Sequence, residues 1–221
     1  MKNTVRILEI KQVTHDVKCF RIEKPVGYIF SPGQATDVSI NKSGMEEEKR
    51  PFTFTGLIEE AYLEFTIKRY ADRHGVTDQL HQLERGDELI IEDAWGAIEY
   101  KGPGYFIAGG AGITPFIAIL RSLHKENTVA GNTLFFSNKT SDDIIYQQEL
   151  SGILHEEAVY ILSNEDKDGY QSGKINEVFI EKNVTDFSKQ FYVCGPDSMV
   201  QQIVEILGKM GADADTVVFE K

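Results

Sequence analysis

Residues 105–120 read YFIAGGAGITPFIAIL. An apolar run of strand character stops at Gly109, Gly110, Ala111 and Gly112, and apolar residues resume after Thr114 and Pro115. Glycines at the end of a buried strand let an anion approach main-chain N–H groups, and a helix that starts at once adds the positive end of its dipole. Thr114 reads as an N-cap and Pro115 as the first helical residue. The spacing is G-x-G-x-x-P, with Ile113 and Thr114 between the last glycine and the proline, and not the G-x-G-x-x-G of ordinary dinucleotide folds. FYVCGPDSMV, at 191–200, repeats the construction: a strand ends at Cys194, then Gly195, Pro196 and an acidic first turn. Each turn alone is also what a tight connection without a ligand looks like, and a buried Cys194 is the commonest state of a free cysteine.

Outward from the first turn, apolar runs alternate with helical ones. Strands are expected near 105–108, 133–136, 158–162, 190–194 and 216–219, and helices near 115–124, 143–152, 175–182 and 196–210. Most of these strands lack a polar face, as burial on both sides requires. Strand–helix alternation predicts a doubly wound parallel α/β domain. Before Gly102-Pro103-Gly104 the period is two. In YLEFTIKRY, Leu63, Phe65 and Ile67 fall on one side and Glu64, Thr66 and Lys68 on the other, which predicts one wet face. VKCFRIEK pairs Phe20 with Ile22, whereas TVRILEIKQVT alternates imperfectly. Turn signals at 31–33, 41–44 and 85–87 separate closely spaced strands, the pattern of a small antiparallel β-barrel, with one short helix at 76–83. Two domains follow, 1–100 and 101–221.

Composition agrees with this division. The chain has 221 residues, 41% hydrophobic and 26% charged, enough to bury a core without staples. Two cysteines far apart suit a reducing cytoplasm and leave too few ligands for an iron–sulfur cluster. The five histidines show no metal-ligand spacing, so no metal is expected. A net charge of −12 gives no reason to expect a nucleic-acid or anionic-membrane partner. The charged N-terminus reads as neither signal nor transit peptide, and the longest apolar stretch is too short for a bilayer.

The two glycine turns in this order resemble the nucleotide domain of the ferredoxin–NADP reductase family, and the first half holds a matching flavin signature. RPFTFTG at 50–56 resembles that family's Arg-x-Tyr-Ser box, with Phe52 for the tyrosine and Thr53 for the serine. IKRY (Ile67, Lys68, Tyr70) followed by HGVT (His74, Gly75, Val76, Thr77) resembles its second flavin stretch, one residue shorter than usual. GDELIIEDAWG resembles the strand and turn that close its barrel. The resemblance covers nearly the whole chain. It implies that Arg50 and Pro51 lie at a flavin pyrophosphate, that Phe52 packs on the ring system, and that Thr53 hydrogen-bonds the ring nitrogen that accepts hydride. It implies further that Gly109, Gly110, Gly112, Ile113, Thr114 and Pro115 hold the pyrophosphate of NADH or NADPH, with its nicotinamide near Cys194, Gly195, Pro196 and Met199. Thr53, Cys194 and Glu220 then carry the catalytic roles. FAD is the usual cofactor of the family, ahead of FMN. The activity implied is hydride transfer from NAD(P)H to FAD, then single electrons to an acceptor protein such as ferredoxin, flavodoxin or an oxygenase component. Reduction of free flavins and a non-catalytic flavin- and nucleotide-binding subunit are the alternatives.

The chain departs from the pattern in two places. Glu220 takes the acidic position near the end, but no aromatic follows, which leaves Phe219 or another residue to cover the flavin. Where NADP-using members place Ser-Arg, this chain has Ser163-Asn164 and then Glu165 and Asp166, carboxylates that repel a second phosphate and favour NAD. Lys139 and Lys174 remain available to a phosphate. Lys68, Arg69, Arg73 and His74 are the candidate basic patch for an acidic acceptor, and scattered solvated charge is the plain alternative.

Overall fold

The computed structural model describes residues 2–71, 75–96 and 98–219. Contacts divide the chain into two compact units, Met1–Gly96 with Thr114–Ile119, and Ala97–Ile113 with Leu120–Lys221.

The first unit is built on β1 (Asn3–Thr14), β2 (Val17–Glu23), β3 (Ala35–Ile40), β4 (Arg50–Thr53), β5 (Tyr62–Lys68), α1 (Val76–Leu80) and β6 (Glu88–Ile91). The sheet order is β4-β3-β6-β1-β2-β5, with every pairing antiparallel. Just past β4, Phe54 bridges Phe65 of β5, so the two edge strands meet and the sheet closes into a barrel. Inside, Phe54 stacks on Phe30 at 4.3 Å between ring centroids and lies 5.1 Å from Phe65, among Phe20, Ile22, Val38 and Leu89, all fully buried.

Two details differ from the alternation expected. In β1 a register shift between Ile7 and Glu9 changes the strand's facing, so Ile7 is buried while Leu8 is exposed. In β5 the face expected to be wet is covered: Glu64 is 2% and Thr66 5% exposed. The cover comes from Arg21 of β2 and from Thr55, which hydrogen-bond the Glu64 carboxylate.

The second unit carries β7 (Gly104–Gly109), the second half of α2 (Thr114–Lys125), β8 (Thr133–Asn138), α3 (Gln147–Leu154), β9 (Ala158–Leu162), β10 (Gln171–Ser172), α4 (Glu177–Asn183), β11 (Gln190–Cys194), α5 (Asp197–Lys209) and β12 (Val217–Phe219). Its sheet runs β10-β9-β8-β7-β11-β12, parallel at every pairing. The chain starts in the middle with β7, builds outward through β8, β9 and β10, then returns to β11 on the other side. The reversal falls between β7 and β11, and such a switch point opens a crevice beyond the strands' carboxyl ends.

The helices differ from expectation mainly at their starts. A 3-10 turn at Gly110–Ile113 runs straight into α2, so Ile113 is the N-cap, Thr114 is the first helical residue and no side chain caps the end. α3 begins at Gln147, because Thr140 and Asp143 close a capping box around a short 3-10 turn and Tyr146 then takes a left-handed conformation, φ 54°. At the opposite end of the sheet, the Tyr192 hydroxyl accepts from the main-chain N–H groups of Lys101 and Gly102 and donates to the Gly102 carbonyl. Asn132 accepts from the Gly104 N–H, and its amide nitrogen donates to the Tyr100 hydroxyl. No helix among the described residues is long and apolar enough to cross a membrane.

Candidate functional site

The two glycine turns meet at the switch point of the second unit. A Cβ placed on Gly112 would stand 2.4 Å from the Cys194 carbonyl oxygen and 2.6 Å from Gly195 Cα. A Cβ on Gly109 would reach Met199 Sδ at 2.5 Å and Pro196 Cδ at 3.0 Å, and one on Gly195 would reach Gly109 N at 3.1 Å. The turn that follows β7 therefore approaches the end of β11 at a distance only glycine permits. Gly110 has φ +52°, and nothing stands within 4 Å of the Cβ it lacks, so its open side faces free space. Gly109, Gly110, Gly112, Ile113, Cys194, Gly195, Pro196 and Met199 are thus brought together. Ile113 is fully buried and Cys194 is 5% exposed.

The turn's electrostatics suit an anion. α2 has no side-chain cap and no acidic residue in its first turn to oppose an anion there. α5, by contrast, has Asp197 in its first turn.

One residue that sequence reasoning missed lies on the same carboxyl edge. Asn138 ends β8, is 6% exposed, and neither its Nδ2 nor its Oδ1 has a hydrogen-bond partner. A buried amide left unpaired costs about 1–3 kcal/mol and calls for a ligand group that both donates and accepts. Its neighbours on that edge are fixed: Ser163 N–H donates to the Asn138 carbonyl at 2.9 Å. The glycine cradle, the uncapped helix and this orphaned amide together fit a ligand bearing phosphates and hydroxyls, as a dinucleotide does. Beyond β9, Glu165 accepts from Ser141 N–H at 2.6 Å, and that main-chain bond holds its carboxyl below the usual range. Asp166 accepts from the Ser172 hydroxyl at 2.7 Å. Two carboxylates are therefore pinned at the edge where the sequence placed them.

In the first unit, β4 carries the Arg50–Thr53 set. Arg50 is exposed, donates only to the adjacent Lys49 carbonyl at 2.6 Å, and has no carboxylate partner among the described residues. The acidic residues beside it are occupied elsewhere, Glu47 with Lys2 and Glu92 with Lys49. Pro51 is exposed, and Phe52 is half-buried against the barrel core, 6.4 Å from Phe65. Thr53 is 8% exposed, and its hydroxyl makes no hydrogen bond among the described residues.

The second predicted stretch is less available. Ile67 and Val76 belong to the core and offer only their main chains. Lys68 pairs with Asp16 at 2.9 Å and Arg69 with Asp78 at 2.7 Å, so neither cation of the expected basic patch is unpaired. Gly75 is the N-cap of α1, a helix of five residues with buried Asp78 in its first turn, and Thr77 is half-buried within it. Tyr70 is 41% exposed. His74 and Arg73, Glu220, and the side chain of Phe219 lie outside the described residues.

His81, the C-cap of α1, ties that helix to β5: its Nε2 donates to the Ile67 carbonyl at 2.8 Å. Burial holds its pKa below the usual imidazole value. The unfolded chain takes up that proton first, so this contribution to stability is complete above about pH 6.5. It drains away as the pH falls through the lowered folded value. We expect the urea midpoint to fall between pH 7.5 and pH 5, and His81→Gln to flatten that fall. An equal loss in the variant assigns the acid sensitivity to other groups.

The family described as Oxidoreductase NAD-binding domain matches residues 106–205. The chain is 26% identical over 233 residues to the reductase component of propane 2-monooxygenase from Rhodococcus jostii, covering 98% of this chain and 62% of that one. It is 21% identical to the ferredoxin–NAD(P)(+) reductase component of the naphthalene 1,2-dioxygenase system of Pseudomonas putida, covering 96% and 66%. The chain thus spans somewhat less than two thirds of these relatives. Among solved structures, a ferredoxin NADP+ reductase from Neisseria gonorrhoeae with bound FAD and NADP superposes with a TM-score of 0.87 at 19% identity, over 99% of this chain and 98% of that one. The FAD/NAD-binding domain of nitric oxide dioxygenase from Vibrio cholerae gives 0.87 at 21%, over 98% and 97%. The chain is therefore similar in fold to a ferredoxin NADP+ reductase, and its residues 106–205 match an oxidoreductase NAD-binding domain.

Proposed function

We propose that the protein is an NAD(P)H-dependent flavoprotein reductase. Residues 1–100 hold FAD, residues 101–221 hold the coenzyme, and the electrons go on to an acceptor protein such as an oxygenase component. The observation that carries this reading is the glycine-only approach of the turn after β7 to the end of β11 at the switch point, beside the orphaned Asn138 amide. The names of the relatives, reductase components of oxygenase systems, support it. Bound FAD would supply the exchange between a hydride pair and single electrons, while the chain supplies position and electrostatics. Arg50 offers a two-pronged donor to a pyrophosphate, Thr53 offers an uncommitted hydroxyl to the ring, and Cys194 lines the crevice for the nicotinamide. Two free buried cysteines suit a reducing, cytoplasmic setting.

The test is anaerobic absorbance after mixing the purified protein with NADH and, separately, NADPH. A flavin spectrum that bleaches with one of them is expected, and faster with NADH, because Glu165 and Asp166 disfavour a second phosphate. Glu165→Gln should raise kcat/KM for NADPH about five- to tenfold relative to NADH, and an unchanged ratio removes Glu165 from coenzyme choice. A colourless protein that bleaches nothing after FAD is added sinks the reductase reading.

A further inference from the structure

The barrel buries a charge that its packing does not require. Glu64 is 2% exposed in β5. One carboxylate oxygen accepts from Arg21 Nε at 3.0 Å and the other from the Thr55 hydroxyl at 3.2 Å. Arg21 is itself held, by Glu9 at 3.0 Å and over the Tyr62 ring at 4.6 Å from its centroid. The Thr55 hydroxyl also meets the Thr66 hydroxyl at 3.1 Å, and the Thr55 N–H donates to the Glu64 carbonyl at 2.8 Å. A Cβ on Gly56 would stand 3.0 Å from Glu64 Cβ, so the chain passes this carboxylate at close range.

These contacts sit on the seam where the barrel closes. Phe54 bridges Phe65 there, and Thr55 and Gly56 lie across from Glu64. A buried ion pair adds little net stability over apolar residues of the same volume, because desolvation offsets the attraction. What it does supply is discrimination between registers. A slip of one residue at the seam turns every side chain of the strand to the other face, and it leaves the Glu64 charge with a broken donor set. Thr53 ends β4, and Thr55 follows two residues on, with the Phe54 bridge to Phe65 between them. The register that gives Thr55 to Glu64 is therefore the register that fixes where the unpaired Thr53 hydroxyl points.

We propose that Glu64, held by Arg21, is a positioning residue for the Arg50–Thr53 strand, setting the placement of Thr53 and Phe52 against the flavin and adding a buried negative charge to its surroundings. The proposal rests on the flavoprotein reading given above. Glu64 touches no reacting atom and acts through Thr55 and the seam.

The test compares wild type with Glu64→Gln, each stripped of flavin and titrated with FAD. The readouts are the dissociation constant, the visible absorption maximum and the midpoint potential of the bound flavin. The variant should bind about tenfold more weakly, because the charge-assisted Arg21–Glu64 hydrogen bond that holds the seam, and with it the placement of Thr53, is weakened. It should show a displaced absorption maximum and a more positive potential, since electrons enter more easily once a nearby negative charge is gone. Thr55→Val, which keeps the volume and removes only the hydroxyl link, should move all three readouts in the same direction by less, and it carries the test if Glu64→Gln fails to fold. Variants that melt earlier but bind FAD with unchanged affinity, spectrum and potential overturn the proposal and leave Glu64 a structural staple. A wild type that takes up no FAD overturns the flavoprotein reading and this proposal together.

Discussion

Gly112→Ala should remove coenzyme binding and lower the melting temperature sharply. The added methyl would sit 2.4 Å from the Cys194 carbonyl oxygen, 2.5 Å from its carbon and 2.6 Å from Gly195 Cα. All three are main-chain atoms of a strand end, so no side chain can swing away. Either β7 and β11 part at the switch point or the Gly110–Ile113 turn is displaced. Overpacking of this kind costs about 1–3 kcal/mol in a core that can shift, and more where backbone meets backbone. Gly110→Ala is the control. Nothing crowds its Cβ, and its φ of +52° puts the penalty at about 1–2 kcal/mol of backbone strain alone. Differential scanning calorimetry and calorimetric titration with NADH read both effects: Gly110→Ala should lose less stability than Gly112→Ala, and its methyl, set on the open side of the turn, should weaken binding as well. If Gly112→Ala melts and binds like wild type, the approach is looser than these distances state.

The second large effect is expected at Phe54. Its ring is fully buried, stacked at 4.3 Å on Phe30, tilted at 5.1 Å to Phe65 and edge-on at 5.9 Å to Tyr28. Truncation to alanine removes three aromatic contacts and opens a cavity at the seam, where the surrounding strands are hydrogen-bonded and cannot collapse inward. A loss of about 3–5 kcal/mol follows. Phe54 adjoins Thr53, so FAD retention should fall with it. Urea unfolding with gel filtration of the coloured protein checks both, and a loss below about 1 kcal/mol would mean that the neighbouring rings refill the space.

The second unit was more legible in the sequence than the first. β7, β8, β9 and β11 are apolar on both faces, and the glycines that end β7 announce both the turn and the crevice. Helix starts were harder, since Thr114 looks like a cap, yet the 3-10 turn before it makes Ile113 the boundary. One reading failed and one residue was missed, for a deeper reason. Alternation marked Glu64 as solvent-facing because period two reports which side a residue takes, not what lies across from it. The composition around Asn138 is that of any strand end, and only the fold reveals that its amide has nothing to bond. Polar groups whose meaning depends on distant partners, Glu64 with Arg21 and Thr55, are therefore what pattern alone cannot recover.

The Tyr192 hydroxyl, with its three bonds to Lys101 and Gly102, bears on how such proteins can be recombined. Gly102-Pro103-Gly104 looks like the natural joint for exchanging one half against another. A chimera spliced there would import a foreign strand entry, cost the phenol its native partners at Lys101 and Gly102, and cost Asn132 its bond to Tyr100. Splicing ahead of residue 98 carries the whole latch with the sheet it serves, so the interchangeable module begins before its first strand does.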